Sequence, residues 1–395
     1  MSTTISRGVR APIIRRGDDI VTIVVDSVLE AARKDGFEIQ DRDVVCVTES
    51  VVARADGNFA SVDDIAADVR AKCPSGDVGV VFPILSRNRF AVILKGIARG
   101  AKKVTVQLSY PADEVGNHLV DLDALDASGV NPWKDVLDVP AFRKHFGNPV
   151  HPFTGMDYVQ HYTEIIESEG AEANIIFANH ASAILPYAKE YIAADIHTRQ
   201  RTQRLIKNAG GENVLTLCDI LSAPVNGSGY NPEYGLLGSN RATDDTIKLF
   251  PKNAQEVADS IQKLMVERTG KNVEAMVYGD GAFKDPVGKI WELADPVVSP
   301  GFTAGLVGLP NELKLKYLAD NDLKDLSGEA LMNAMKEAIR NKSKEDNKGV
   351  MASMGTTPRR LTDLIGSLCD LTSGSGDKGT PVILVQGYFT NYSED

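Results

Sequence analysis

Apolar and polar positions follow two rhythms along this 395-residue chain. In IVTIVVDSVLEAARKDG, residues 20–36, apolar side chains recur every three or four positions, as on one buried face of a helix. Asp18 and Asp19 ahead of it and Gly36 at its end supply start and stop signals. DRDVVCVTES carries a short β-branched run, VVCVT, which reads as a buried strand closing into a loop. VVARADGNFAS reads as a second short segment with a turn at Asp56-Gly57. SVDDIAADVRAKC predicts an amphipathic helix capped by Ser61, and VGVVFPIL and KKVTVQL predict strands flanking the helix FAVILKGIARGA.

The middle of the chain is less regular. NPWKDVLDVPAFRKHFGNPVHPFTGMDY is rich in Pro, Gly and aromatic residues and reads as a long surface excursion. Its Trp133, Phe142, Arg143, Phe146, Phe153 and Tyr158 suit either a lid over a ring-bearing substrate or a surface ornament packed on its own subunit or across a dimer. MDYVQHYTEIIESEG predicts a helix, ANIIFAN a strand, and ASAILPYAKEYIAADIHTRQRTQRLIKNAGG one or two helices ending at Gly210-Gly211. VLTLCDI predicts another strand, and VNGSGYNPEYGLLGSN a loop. The last third is clearer: helices in NAQEVADSIQKLMVERTGKN, SGEALMNAMKEAIRNKSKEDNKG and TPRRLTDLIGSLCDLTS, and strands in VEAMVYGDGAF and TPVILVQGY. The whole is an α/β pattern.

Composition narrows the function classes. Lys and Arg number 43 against 54 Asp and Glu, a formal charge of −11, which disfavours nucleic-acid and anionic-membrane partners. No N-terminal apolar stretch resembles a secretion signal, and the apolar run 174–188 is too short and polar to span a bilayer, so a cytoplasmic location is expected. Cys46, Cys73, Cys218 and Cys369 form no C-x-x-C pair and at least three sit in apolar runs, so they read as buried hydrophobes.

The common phosphate-loop, dinucleotide, nucleophile-elbow and zinc-protease signatures are absent. What remains is a set of acidic and glycine-rich turns. VEAMVYGDGAFKDP sets Asp280 between two glycines after a strand, where a carboxylate suits a hard cation; a plain Asp-Gly turn is the bland alternative. LTSGSGDKGTPVILV offers small residues whose N–H groups could form a phosphate nest, with Ser373, Ser375 and Lys378 adding donors. QLSYPADEVGNHLVD pairs Asp113 and Glu114, another candidate for a divalent cation, and RAPIIRRGDDI gathers Arg10, Arg15 and Arg16.

Three blocks in the same order resemble the coenzyme F-420 gamma-glutamyl ligases: RAPIIRRGDDI with DRDVVCVTESVVARADG, then MVERTGKNVEAMVYGDG, then LTDLIGSLCDLTSGSGDKGTPVILVQGY. The resemblance implies a mixed α/β ligase fold, a homodimer, and amide-bond formation dependent on GTP with Mg or Mn, through a phosphorylated acceptor carboxylate. It implies a core in residues 1–117 and 236–395, with 118–235 as a large insertion for substrate or dimerisation. Carried onto this chain, Ala11, Pro12, Ile13 and Ile14 would meet the base or ribose; Glu49, Ser50 and Arg54 would contact the nucleotide, with Arg54 also catalytic. Asp280 would be catalytic and a metal ligand, and Ser373, Gly374, Ser375, Gly376 and Asp377 would wrap the phosphates. Three departures are visible: Arg54 replaces the usual Lys, Gly281 the usual hydroxyl residue, and Ser375 the acidic or amide ligand, which hands that role to Asp377. GLLGSN keeps Ser239 and Asn240, the latter a nucleotide contact, but has Leu237 where an acid is usual; Glu114 and Asn117 keep an acid and an amide three residues apart in another place, with Asp113 beside them as a further metal candidate. A folate- or pterin-directed ligase and an inactive nucleotide-binding homologue are the alternative functions.

Overall fold

A computed structural model describes residues 3–281, 294–310, 312–342, 359–374 and 376–394. In chain order the first half runs β1 (Ile5–Val9), α1 (Ile20–Asp35), β2 (Val44–Thr48), α2 (Glu49–Asp56), β3 (Phe59–Ser61), α3 (Val62–Lys72), β4 (Asp77–Val81), α4 (Phe90–Gly100), β5 (Lys103–Leu108), α5 (Leu122–Ser128), β6 (Leu137–Asp138), α6 (Val139–Phe146), α7 (Tyr158–Ser168) and β7 (Glu172–Phe177). It continues with β8 (Glu190–Ala193), α8 (Arg199–Asn208), β9 (Asn213–Thr216), β10 (Asn240–Arg241), β11 (Thr246–Lys248), α9 (Ala254–Thr269), β12 (Glu274–Tyr278), β13 (Gly301–Phe302), α10 (Leu315–Asp320), α11 (Gly328–Asn341), α12 (Leu361–Ser373) and β14 (Val382–Gln386).

Both ends of the chain build one five-stranded mixed sheet in the order β1-β14-β2-β12-β13. Its centre is the parallel pair β2 and β12, with Val44 opposite Glu274 and Thr48 opposite Tyr278. The run Val44–Val47 is apolar at every position because both faces are covered. Val45 and Val47 pack toward α1 and α9 with Val24, Val28, Ile261 and Met265, while Val44 and Cys46 pack on α12 with Ile365 and Cys369. Asp19 caps α1 by accepting from Thr22 N, and Gly36 ends it with a left-handed φ of 71°.

A second sheet has six strands in the order β6-β7-β5-β4-β8-β9, all parallel except the short edge strand β6. The chain lays down β4, β5 and β7 outward in one direction and then returns to place β8 on the other side of β4, so a topological switch point lies between β4 and β8. Helices α3 and α4 cover one face and touch closely: a Cβ at Gly96 would lie 2.6 Å from Ile65, so only glycine fits there. β10, β11 and β3 form a small third sheet.

Four expectations change. The segment after β2 is helical through Asp56, where Ala53, Arg54 and Ala55 favour a helix, and only Phe59–Ser61 is extended. The stretch read as one or two helices holds a 3₁₀ turn at Ala181–Tyr187 and the central strand β8; its pattern of helix formers is overridden by pairing with β4 and β9 on either side. The excursion 131–160 contains β6 and α6, and Phe142 stacks on Phe177 with ring centroids 3.9 Å apart. Phe142 and Tyr158 are therefore core residues, while Trp133 and Phe153 stay exposed. Finally, the boundary expected at 117/118 falls between strands of the six-stranded sheet, which draws on residues 77–216.

Candidate active site

The parallel register of β2 and β12 delivers Thr48-Glu49 and Tyr278-Gly279-Asp280 to the same sheet edge. Helix α2 starts directly at Glu49, so Ser50 and Arg54, four residues apart, share one helical face above that edge. They form one wall of a cleft of about 400 Å³. Ala11, Pro12, Ile13 and Ile14 form a second wall, and Ser373, Gly374, Gly376, Gly379, Thr380 and Pro381 a third, with Thr48, Val51 and Tyr278 also in the lining. Hydrogen bonds tie the walls together: Arg54 Nε donates to Ile14 O at 2.8 Å, Ala11 N to Gly379 O at 3.2 Å and Thr380 Oγ1 to Ser373 O at 2.9 Å. Gly374 takes φ 62°, a left-handed conformation that lets the chain turn off the end of α12 and along the cleft.

This cleft combines apolar groups from Pro12, Ile13 and Val51 with the Arg54 guanidinium and a glycine-rich backbone. That donor set and volume suit a ring-bearing phosphorylated ligand. A second cavity of about 420 Å³ is lined by Asp18, Asp19, Asp56 and Glu256, and those four carboxylates disfavour an anion there.

A buried charge cluster lies next to the cleft. Arg89, on the segment leading into α4 from the six-stranded sheet, donates from Nη2 to Asp280 Oδ2 and from Nη1 to Asp295 Oδ1, both at 2.8 Å. Asp280 N donates to Asp295 Oδ2 at 2.8 Å, and Gly281 N to Asp370 Oδ2 at 2.9 Å. Glu49 receives both contacts of Lys248 Nζ, at 2.7 and 2.8 Å. Burial pushes the Asp280 carboxyl up to about 7, the Asp295 charge adds to this, and Arg89 opposes it. Burial likewise raises Glu49 against the pull of Lys248, and raises Asp370 against its bond from Gly281. For Arg89, burial works against the charge, but the carboxylates of Asp295 and Asp280 outweigh it and hold the guanidinium protonated.

The donors here are carboxylate oxygens, the chemistry a hard divalent cation takes. Asp280 and Asp370 each have one oxygen engaged by the hydrogen bonds above, which fits an ion held by one or two carboxylates together with a ligand's phosphates. Among the described residues no group of three or more His, Cys, Asp or Glu is arranged to hold a metal ion by itself.

The structure thus gathers Ala11, Pro12, Ile13, Ile14, Ser50, Arg54, Ser373, Gly374 and Gly376 around one cleft, with Glu49 and Asp280 in the adjoining cluster. Asn240 stands opposite Lys248 across the β10–β11 pair and is not among the residues that line the cleft. Asp377 lies in the exposed turn Gly376–Lys378 beside the cleft and is not part of its lining. Ser375 lies outside the described residues.

Asp113 and Glu114 do not join the cluster. Asp113 is buried and accepts from the backbone N–H groups of Leu85, Val115 and Asn117 and from Asn117 Nδ2. Burial pushes it up to about 6, with those donors opposing. Glu114 accepts from Ile196 N, His197 N and Thr198 N, ahead of α8. Both carboxylates brace loops at the edge of the six-stranded sheet, and their oxygens are already satisfied by N–H donors, which removes them as metal ligands.

Sequence reading missed Arg89, Asp295, Asp370 and Lys248. Lys248 left a trace, a lone charge in the otherwise apolar run IKLF. Ser239, retained in GLLGSN, is buried with no partner for its Oγ among the described residues.

A mixed α/β architecture with a ligand cleft against a carboxylate cluster marks an enzyme handling small charged molecules. The model of the F420-0:gamma-glutamyl ligase family matches residues 8–387, nearly the whole chain, and the protein belongs to that family. It is accordingly a ligase that forms an amide bond between an acid and an amine. No curated protein matches the chain. No helix among the described residues is long and apolar enough to cross a membrane.

Proposed function

We propose that this ligase uses GTP with Mg or Mn to activate a small carboxylate as an acyl phosphate, which an amino acid's amine then converts to an amide. The observation that carries the reading is the junction of the cleft with the carboxylate cluster: Thr48 and Tyr278 line the cleft, and Glu49 and Asp280 follow them at the same strand ends. In this reading Pro12, Ile13 and Val51 receive the base, Arg54 pairs with a phosphate and holds the Ala11–Ile14 wall through Ile14 O, and the N–H groups around Ser373, Gly374 and Gly376 cradle the remaining phosphates. Asp280 and Asp370 would hold the divalent ion, which when bound screens the charge of the transferring phosphoryl group.

An acceptor carboxylate oxygen attacks the γ-phosphorus and GDP leaves. The neutral amine nitrogen attacks the acyl carbon and inorganic phosphate leaves, so the former carboxylate oxygen departs on phosphate. Loss of the ammonium proton precedes that attack. The protein acts on small molecules, and we place it in the cytoplasm as a homodimer without nucleic-acid partners. The test is oxygen transfer. Incubating the enzyme with GTP, Mg, an amino acid and an ¹⁸O-carboxylate substrate is expected to move one ¹⁸O into inorganic phosphate. Amide product with no label in phosphate would reject the acyl-phosphate route, and equal rates with ATP would reject the choice of GTP.

A further inference from the structure

The Arg89 guanidinium occupies the place among the carboxylates where a cation is needed. Its side chain is 17% exposed, Asp295 is 1% exposed and Asp280 26% exposed, so this is a largely desolvated ion triad. Four acids (Glu49, Asp280, Asp295, Asp370) face two bases (Arg89, Lys248), and Lys248 is committed to Glu49 through both oxygens. Arg89 is thus the base that pairs with both Asp280 and Asp295. Leaving such carboxylates buried and unpaired is strongly destabilising, so the metal-free protein needs a resident positive charge at this point. A divalent cation drawn to Asp280 meets that same charge at close range, and the oxygens Oδ2 of Asp280 and Oδ1 of Asp295 are already occupied by it.

We propose that Arg89 is the internal counter-cation of the metal-free site, and that the guanidinium and a divalent cation compete for the carboxylate of Asp280. Loading the ion displaces Arg89 from Asp280. Because Arg89 comes from the loop that joins β4 to α4, ion binding at the five-stranded sheet is felt by the six-stranded sheet across the seam. This inference rests on the reading of Asp280 as a metal ligand.

The experiment uses the full chain and Mn²⁺ alone, with free Mn²⁺ followed by electron paramagnetic resonance and melting followed with and without the ion. Arg89→Met is expected to melt below wild type in the absence of metal, to bind Mn²⁺ on the order of ten- to a hundredfold more tightly, and to gain more melting temperature from Mn²⁺ than wild type does. Arg89→Lys, which keeps the charge but loses the two-pronged grip, is expected to lie between and serves if Arg89→Met fails to fold. A purely structural arginine would lower stability without raising metal affinity. Unchanged or weaker Mn²⁺ binding in the arginine variants, with binding still abolished by Asp280→Asn, would overturn the competition and leave the metal site standing. Absence of Mn²⁺ binding in every variant and in wild type, with GTP present as well, would overturn both.

Discussion

At the residue scale the chemistry turns on how burial treats each carboxylate. Asp280, partly exposed, and Asp113, buried, both have raised pKa values, yet one faces other carboxylates and Arg89 while the other is ringed by N–H donors. Asp280→Asn is expected to cut turnover by at least about a hundredfold with little change in melting temperature, since a ligand oxygen is lost while Arg89 keeps Asp295. Full metal-dependent activity in that variant would remove Asp280 from the mechanism. Asp113 gives a stability signature instead. Its pKa is raised from 3.8 to about 6 on folding, so between those values the native state holds a proton that the unfolded chain has released. Its contribution is therefore fully present below pH about 4 and is lost as pH rises through 6, a change of about 3 kcal/mol. Urea unfolding at several pH values should show the stability of wild type relative to Asp113→Asn falling by that amount from pH 4 to 7. A difference independent of pH would contradict the burial of this carboxyl.

At the scale of elements, function collects where a strand hands over to a helix or a helix to a loop. β2 passes directly into α2, which fixes the height of Ser50 and Arg54 above the sheet edge, and α12 ends in the turn at Gly374 that returns the chain as β14. The N–H groups near this turn are the ones a phosphate would engage. On adding GTP and Mg, amide exchange at Ser373, Gly374 and Gly376 is expected to slow, as read by hydrogen–deuterium exchange. Protection confined to other segments would make the turn a connector and move the nucleotide elsewhere.

At the scale of the whole molecule, a five-stranded sheet closed by the two chain ends meets a six-stranded sheet that is parallel but for its edge strand β6, and Arg89 crosses between them. The excursion at 131–160 belongs to the second sheet: β6 pairs with β7, and Phe142 covers Phe177. Deleting 131–155 is therefore expected to uncover Phe177 and the β7 edge, lowering the melting temperature and promoting association. Phe142→Ala alone should cost about 3–5 kcal/mol. A deletion variant that melts like wild type and stays the same size by sedimentation would show that the excursion is an ornament.

The sequence determined the local elements wherever the pattern was self-sufficient. Asp19 and Gly36 bound α1, Ser61 and Asp64 form a capping box on α3, and Val44–Val47 of β2 and Ala275–Val277 of β12 are apolar because each strand is covered on both faces. It also marked the glycine-rich turn after α12 as a loop, while Ala11–Ile14, Ser50 and Arg54 are marked only by the resemblance to the ligase family; these segments meet at the cleft. Only tertiary structure decided the rest. β8 is a strand because β4 and β9 flank it, not because EYIA announces one. Asp113 and Glu114 look like metal ligands until the N–H groups of Leu85, Ile196 and Thr198, distant in sequence, are found to satisfy them. Arg89 and Asp280 are 191 residues apart, and a charge pair of that separation leaves no periodicity to read; its partners are fixed by the meeting of two sheets.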